Sequence, residues 1–428
     1  MALQDLAKAT TTASLTRSNY IFVEVGGVVK RISLDNLIDV LSLDENKMIL
    51  QQVAWGVPLL QTQSSMQWGV YGNTAMYKQW NEMKGRYLVT NAGNAAKLSA
   101  TNSGIYADGT TLDETKGHVM VYRPRLYYLV QTDSVTGVTW LWMSTLPIGG
   151  HYLEENCTGA YLAYLNGSAL TSRSGVNPTR GLGSSGSVLG IYYYWNAAQK
   201  NGADWGLADY DFQRYIQMEV LSDYGTPDAQ SALGYGVGGT GNSLYSDSTV
   251  LTGLTKSLGD ASGTYVLDSS TKSCHVSLHG TEDAWNWIWE IRQGGFFGAS
   301  NNSAQNGTEC YLYKGNRLPT SAELASTPTG DYRKVTRCTS NGYVDKMYLG
   351  EYFDTIPTAI AGTNHWADYY YQNQASGQSF FFGGASYSGA FSGPFYVDSY
   401  DAFSRSSADI GSRLAYYGKL NFVNGKDI

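Results

Sequence analysis

Charge is scarce in this chain. Only 15% of its 428 residues are Asp, Glu, Lys or Arg, and the formal net charge is −7. No block of lysine or arginine interrupts the sequence, so neither nucleic acid nor an anionic lipid surface is an expected partner. No apolar run reaches the length of a membrane span, and membrane insertion is not expected. The first residues, Met1-Ala2-Leu3-Gln4-Asp5-Leu6, lack the basic segment and apolar stretch of a secretory signal, so folding in the cytosol is expected. Cysteine is equally sparse. Cys157, Cys274, Cys310 and Cys338 are too few and too scattered for a disulfide framework, and no Cys-x-x-Cys pair offers a zinc site. They read as free, mostly buried thiols. No internal repeat of solenoid or propeller length is visible. What is plentiful is 34 Tyr, 11 Trp and 49 Gly, a composition that suits a loop-rich β protein with broad uncharged contact surfaces.

The length suggests two or three domains. Tyr20 to Val25 and Val28 to Arg31 are β-favouring runs about the turn Gly26-Gly27, which predicts a hairpin. Ser33 can cap a short helix carrying Leu34, Leu37, Ile38 and Leu41 at helical spacing. From Leu43 to Gly117 turn signals such as Asn91-Ala92-Gly93-Asn94 and Ala107-Asp108-Gly109 punctuate short strands. The clearest helix runs from Asp209 to Tyr224, with Asp209 or Asp211 at its start, an apolar stripe of Phe212, Tyr215, Ile216 and Val220, and Gly225 at its end. A second short helix is expected around Gly280 to Trp285. Ile191-Tyr192-Tyr193-Tyr194-Trp195 is the most strongly β-favouring run, and Gly183-Ser184-Ser185-Gly186-Ser187 reads as a flexible loop.

Near the carboxyl end, Gly383-Gly384-Ala385-Ser386-Tyr387-Ser388-Gly389-Ala390-Phe391 runs on to Ile410-Gly411-Ser412-Arg413-Leu414. Glycines and apolar residues bracket positions filled by Tyr, Ser, Ala, Asp, Phe and Arg. That mixture builds binding surfaces, because Tyr supplies contact area at low rotamer cost while Ser and Gly adapt. The frame, a Gly-Gly turn followed by Gly-x-Phe and Ile-Gly-x-Arg-Leu, resembles the variable region of C-type-lectin-fold proteins diversified by retroelements in phages and bacteria. Three separated segments carry the resemblance to that fold. The Asp209 to Tyr224 helix occupies the place of its long second helix. Glu282-Asp283-Ala284-Trp285-Asn286-Trp287-Ile288-Trp289-Glu290 is similar to the Gly-Asn-Val-Trp-Glu-Trp signature of its formylglycine-generating-enzyme branch, and Ile410 to Leu414 is similar to its closing Gly-Phe-Arg strand. The tryptophans themselves read as core, and Arg413 as a structural partner of a carboxylate. The hairpin and helix near the N-terminus resemble the anchoring segment of phage fibre proteins, with a swapped arm or trimer-forming tip as the alternative. Gly85 to Val89, Ala96 to Leu98 and Gly117 to Tyr128 resemble prophage tail proteins that run directly into a lectin-type fold.

The resemblance implies which residues face a ligand, namely those whose codons are rewritten at template adenines. Carried onto this chain they are Ala385, Ser386, Tyr387, Ser388, Ala390, Ser392, Asp398, Tyr400, Asp401, Phe403 and Arg405, with Gly383, Gly384, Gly389, Phe391, Ile410 and Gly411 as scaffold. The upstream group His365, Trp366, Tyr369, Tyr370 and Tyr371 can widen the same face, Tyr369 and Tyr371 foremost, while Trp366 reads as core.

Enzymatic readings find little support. The enzyme branch of this fold uses a late pair of cysteines, and none follows Cys338. His275 and His279 stand four apart in a strand-to-turn segment and share a face in principle, but no acidic general base stands in motif context. Neither the Glu-Pro-Asn or Gln-Pro-Asp motif nor the Trp-Asn-Asp motif of calcium-dependent lectins occurs, and Asp398 with Asp401 alone would not hold a hard cation. No metal and no cofactor are therefore expected. A capsule depolymerase needs two carboxylates, but no repeat suggests the β-helix such enzymes favour, and no Gly-x-Ser-x-Gly elbow is present.

The expected fold class is α+β: an N-terminal attachment hairpin and helix over 1–45, a β-rich connector over 46–117, and a C-type-lectin-like domain over 118–428 whose variable region covers about 365–413. The expected function is that of a phage virion protein, tail or head fibre, assembled in the host cytoplasm and adhering to a glycan or outer-membrane protein on the host surface. Other virion structural proteins would bind its N-terminus, and a homotrimer would add avidity. A head-fibre or decoration protein is the structural alternative, and a depolymerase the enzymatic one.

Overall fold

The computed structural model describes residues 20–25, 28–33, 50–60, 67–133, 136–183, 190–296, 309–313, 317–320, 332–361, 365–373 and 378–428. Most of its regular structure is β. The strand Tyr20–Val25 pairs antiparallel with Val28–Ser33, Val25 opposite Val28, and the two glycines expected to turn between them lie outside the described residues. The helix expected after Ser33, and residues 184–187 of the expected loop, lie outside the described residues.

Three larger sheets make up the body. One has five strands, in the order His151–Leu153, Leu126–Thr132, Thr139–Ser144, Trp55–Leu59 and Tyr71–Gly72. A second runs Trp205–Leu207, Leu414–Tyr416, Asn156–Gly159, His118–Arg123, Gly85–Val89, Asn94–Ser99 and Asn421–Val423, with Asn102–Tyr106 paired beside it. Gly85–Val89 and His118–Arg123 are partners along their length, so strands on either side of position 117 share one sheet. The third sheet carries the C-terminal region. Its core is Trp289–Phe296, Ser379–Phe382, Val397–Ser399 and Tyr369–Gln372, with Ile410–Ser412 laid parallel to Trp289–Phe296. The stretch read as a β-rich connector also holds a helix, α1 (Thr74–Met83), capped by the Asn73 side chain accepting from the Met76 amide.

The run Ile191 to Trp195 is not a strand. It lies in α2 (Gly190–Gln199), where Ile191, Tyr194, Ala197 and Ala198 recur at helical spacing and are buried together. Packing against the second sheet has overridden a β preference that is only a weak prior. Nor does a helix form around Gly280 to Trp285. His279, Asp283 and Asn286 take positive φ of 45°, 52° and 58°, a left-handed backbone that no right-handed helix contains.

α3 (Tyr210–Tyr224) begins and ends where the sequence predicts. The Asp209 carboxylate accepts from the Phe212 amide at 3.0 Å, and Gly225 closes it with φ 61°. The expected single apolar stripe is incomplete, because every residue from Tyr210 to Ser222 is buried. Tyr215, Met218 and Leu221 pack with Trp55, Trp80, Leu141 and Phe382. Phe212, Ile216 and Val220 pack on another side with Val276, Leu278 and Trp285. A helix in the middle of a protein has no wet face, so its polar residues need partners inside. Glu219 finds them in Lys84 and Arg123, each at 2.9 Å.

Burial alone would raise the Glu219 carboxyl, but the charges of Arg123 and Lys84 outweigh it and hold the group down at about 2. Its contribution to stability is present above the ordinary carboxyl range and is lost as pH falls toward the folded value. Glu219→Gln leaves two cations buried without their counter-charge. We expect a loss of about 3–5 kcal/mol in urea unfolding at neutral pH, shrinking as the pH is lowered toward 3; a loss below about 1 kcal/mol would contradict the network's role.

Candidate functional site

The C-terminal segment is held on a rigid backbone. Gly383 and Gly384 have φ of 84° and 83°, and a Cβ on Gly384 would fall 2.2 Å from the Ser392 hydroxyl. Only glycine fits there. The chain then makes a short helical turn over Ser386–Phe391. Beyond it, the Pro394 carbonyl accepts from Gln213 at 2.5 Å and Gln217 at 3.1 Å, both on α3. The buried Asp368 carboxylate accepts from the Phe395 amide at 2.7 Å. The central helix therefore fixes the loop that the variable positions occupy.

This frame divides the expected ligand-facing residues. Tyr387, Ala390, Tyr400, Arg405 and Tyr371 are exposed, and Asp398, Asp401 and Tyr369 are half-buried. Ala385, Ser386, Ser388, Ser392 and Phe403 are buried and cannot present their side chains to a partner, which corrects the expectation for those five. The reasons are local. Ser386 Oγ accepts from the Tyr245 amide at 2.8 Å, and Ser392 Oγ donates to Asn286 Oδ1 at 3.2 Å. Ala385 bridges to Trp287, and Phe403 packs with Ile191, Tyr194 and Leu414. Phe391, expected as scaffold, is 42% exposed instead.

Each exposed ring touches a neighbouring ring. Tyr371 lies 5.2 Å from Tyr400 between centroids. Phe391 lies 4.8 Å from Tyr369 and 5.5 Å from Tyr343, and Tyr387 lies 5.5 Å from Tyr245. Tyr387 is pinned at its hydroxyl, which accepts from Trp289 Nε1 at 3.0 Å and donates to Asp409 at 2.7 Å. Tyr343 and Tyr245 were not legible as members of this face, because they come from segments the variable frame does not include; Asp409 lies inside that frame but was not among the residues the resemblance singled out. Trp366 and Tyr370 are buried as core, and His365 pairs with Asp345.

Asp398 sits at the centre of this face. One of its oxygens accepts from the Tyr400 amide at 2.7 Å. Burial pushes its carboxyl up to about 7; the Tyr400 amide and Arg405 pull it down, and Asp401 and Asp409 push it further up. Arg405 reaches Asp401 at 3.5 Å across an exposed gap.

The other polar clusters have structural employment. Arg413 forks onto Glu290 at 2.9 and 3.1 Å, the carboxylate pairing expected of it. His275 and His279 do not share a site, since His275 faces Asp283 at 2.5 Å and His279 faces Asp223 at 2.8 Å. His275, Asp283 and Glu282 bring possible ligand atoms within 4.8 Å of one another. Glu282 accepts from the Gly253 and Thr255 amides and the Thr255 hydroxyl, and Asp283 from the Val276 amide, while His275 Nε2 is buried with no hydrogen-bond partner among the described residues. A concavity of about 310 Å³, lined by Tyr122, Glu155, Asp209, Tyr416 and Tyr417, opens on the second sheet.

No protein-family model matches the chain, and no curated protein matches it. Among solved structures it is similar to the M1 variant of the Major Tropism Determinant at 15% identity and a TM-score of 0.30, covering 79% of this chain and 72% of that one. It is similar to the U1 variant at 14% identity and a TM-score of 0.31, covering 97% and 98%. These titles are those of tropism determinants, not of formylglycine-generating enzymes. Likeness at this level establishes neither fold nor function.

Because folded Asp398 keeps its proton up to about 7 while the unfolded carboxyl releases it near 3.8, stability falls as pH rises between those values. Asp398→Asn keeps the acceptor for the Tyr400 amide and removes that fall. We expect it to be stabilised relative to the parent by about 1 kcal/mol at pH 8, with no gain at pH 4. Urea unfolding at both pH values checks this, and an equal effect at the two would contradict it.

Proposed function

We propose that this chain is a phage virion-surface protein that adheres to a host-cell receptor through the face formed by Tyr371, Tyr387, Ala390, Phe391, Tyr400 and Arg405. The carrying observation is that large aromatic side chains stand exposed on a backbone where Ala385, Ser386, Ser388, Ser392 and Phe403 are sealed. Tyr371, Tyr387, Phe391 and Tyr400 are between 38% and 46% exposed, so their contact area is still free to be buried by a partner. Rings of this kind dominate the energetics of protein recognition, because they bury much area for few frozen rotations. The mode of action is adhesion, with no bond broken and no metal required. The hairpin at Tyr20–Ser33 would join the chain to other virion structural proteins, and assembly as a homotrimer would turn weak single contacts into firm attachment.

The test is adsorption of particles carrying Tyr387→Ala together with Tyr400→Ala. Tyr400 is a surface group, while loss of Tyr387 leaves Trp289 Nε1 and Asp409 without their shared partner, so a modest fall in thermal stability is expected while adsorption to sensitive cells by the folded variant falls by about tenfold or more. Unchanged adsorption in a folded variant would remove this face from the function.

A further inference from the structure

We propose that the concavity on the second sheet, between Tyr122, Tyr416 and Glu155, binds one residue of an uncharged saccharide. None of its lining residues belongs to the aromatic face, so the site is independent of the adhesion reading and would give the chain a second point of contact with a glycan-bearing surface. Its basis is a notch built by strand register and lined by carboxylates whose charge is largely met already.

The register of the second sheet makes the notch. Cys157 stands opposite Tyr416 on one neighbouring strand and opposite Tyr122 on the other, and directly paired residues of an antiparallel ladder share a face. A small side chain between two tyrosines leaves a space of about 310 Å³, at the lower end of the range that holds small molecules. Beyond Tyr122 the Phe422 ring lies 5.4 Å away between centroids and is 53% exposed, which continues the ring surface outward. Glu154 and Glu155 precede the strand Asn156–Gly159, Asp209 and Asp211 stand at the start of α3, and all four line the same space.

Charge separates the ligand classes. Glu154 already pairs with Arg125 at 2.8 Å, Asp211 pairs with Arg214, and the Asp209 carboxylate caps α3 by accepting from the Phe212 amide. Glu155 has no cation beside it among the described residues; one of its oxygens accepts from the Tyr122 hydroxyl at 3.0 Å, and the residue is exposed. A cationic ligand would therefore meet one unpaired carboxylate, in solvent, where an ion pair adds little. An anion would meet four carboxylates and be repelled. An apolar ligand would strip water from Glu154 and Glu155 without replacing its hydrogen bonds. A sugar ring suits both parts of the site. Its C–H face can lie on Tyr122 and Phe422, and its hydroxyls can donate to Glu154 and Glu155, in hydrogen bonds strengthened because the acceptors are ionised.

The probes are the methyl glycosides of glucose, galactose and mannose, titrated at millimolar concentration into the full chain and read by saturation-transfer NMR. We expect at least one to bind, with its ring C–H protons receiving the transfer. A derivative of that glycoside carrying a carboxylate in place of its primary alcohol should bind about tenfold more weakly, and one carrying an amine there should gain no more than about twofold at low salt. Phe422→Ala and Glu155→Gln alter exposed side chains, so each should weaken the parent glycoside by about fivefold with a nearly unchanged unfolding midpoint. Tyr387→Ala with Tyr400→Ala should leave glycoside binding as it was. Three results would each overturn the proposal: no binding of any of the three glycosides, an amine derivative bound about tenfold tighter than its parent, or binding lost in the Tyr387 and Tyr400 variant and kept in Phe422→Ala. Adsorption keeps the two readings distinct. If no glycoside binds while adsorption still depends on Tyr387 and Tyr400, this site is removed and the adhesion reading stands. If a glycoside binds here while adsorption is indifferent to that pair, the adhesion reading fails and this site stands.

Discussion

The Arg413 guanidinium is the point at which the separate parts of this chain are tied. It forks onto Glu290 and donates to the carbonyls of Gly159, Ala160, Glu282 and Asp283, so one side chain joins the closing strand to the second sheet and to the left-handed turn before the tryptophans. Arg292 shares the same carboxylate, and the guanidiniums of Arg123, Arg292 and Arg413 all lie within 5.8 Å of the Phe212 ring. Burial alone would raise the Glu290 carboxyl, but the two arginines outweigh that and hold it ionised. A buried ion pair of this kind adds little net stability over an apolar replacement, yet removing one partner strands the other. Its value here is geometric. Six acceptor positions fix where Ile410–Ser412 lies against Trp289–Phe296, and with it the far wall of the candidate face.

α3 extends that constraint toward the surface. A helix wholly inside the protein must satisfy polar side chains internally, and Gln213 and Gln217 do so by donating to the Pro394 carbonyl. The same contacts that make the helix tolerable in the core therefore hold the exposed loop still. Asp368 adds a third restraint from the neighbouring strand, accepting from the Phe395 amide. Ordering entropy at the face has thus been spent at folding, before any partner arrives.

Much of this was legible in the sequence where local chemistry determines the outcome. Asp209 and Gly225 bound α3 because a capping carboxylate and a left-handed glycine act within a few residues. Trp285 and Trp287 were legible as core, and Arg413 as a structural partner of a carboxylate, on size and charge alone. The failures share another cause. Ile191 to Trp195 has β-favouring residues, but Ile191, Tyr194 and Ala198 also fall on one helical face, and a neighbouring sheet was there to cover it. Ser386, Ser388 and Ser392 are small and polar like exposed loop residues, and nothing in their identity announces that Asn286, the Tyr245 amide and the tight glycine turn enclose them. Tyr343 enters the face through its strand pairing with Tyr369, a property of the fold rather than of any window of sequence, whereas Asp409 lies within the variable window and only its contact with Tyr387 was hidden.

The division between sealed and exposed variable positions has a physical logic of its own. A residue beside Gly384 must leave room for a backbone that a single added carbon would push against Ser392, so small side chains at 385, 386 and 392 are conditions of the frame rather than choices for a ligand. Enlarging one of them would overpack a closed site and displace the loop, at a cost of about 1–3 kcal/mol. The open positions carry no such condition. Tyr387 is held by its hydroxyl between Trp289 and Asp409, which orients the ring while leaving its face free. Tyr400 leans on Tyr371 and Phe391 on Tyr369, so each exposed ring is braced by another and loses little further freedom when covered. Substitution at the open positions other than Tyr387 would then leave the backbone of the face in place, because the hydrogen bonds that hold it come from α3, Asp368 and Asn286, with Tyr387 adding its own to Trp289 and Asp409.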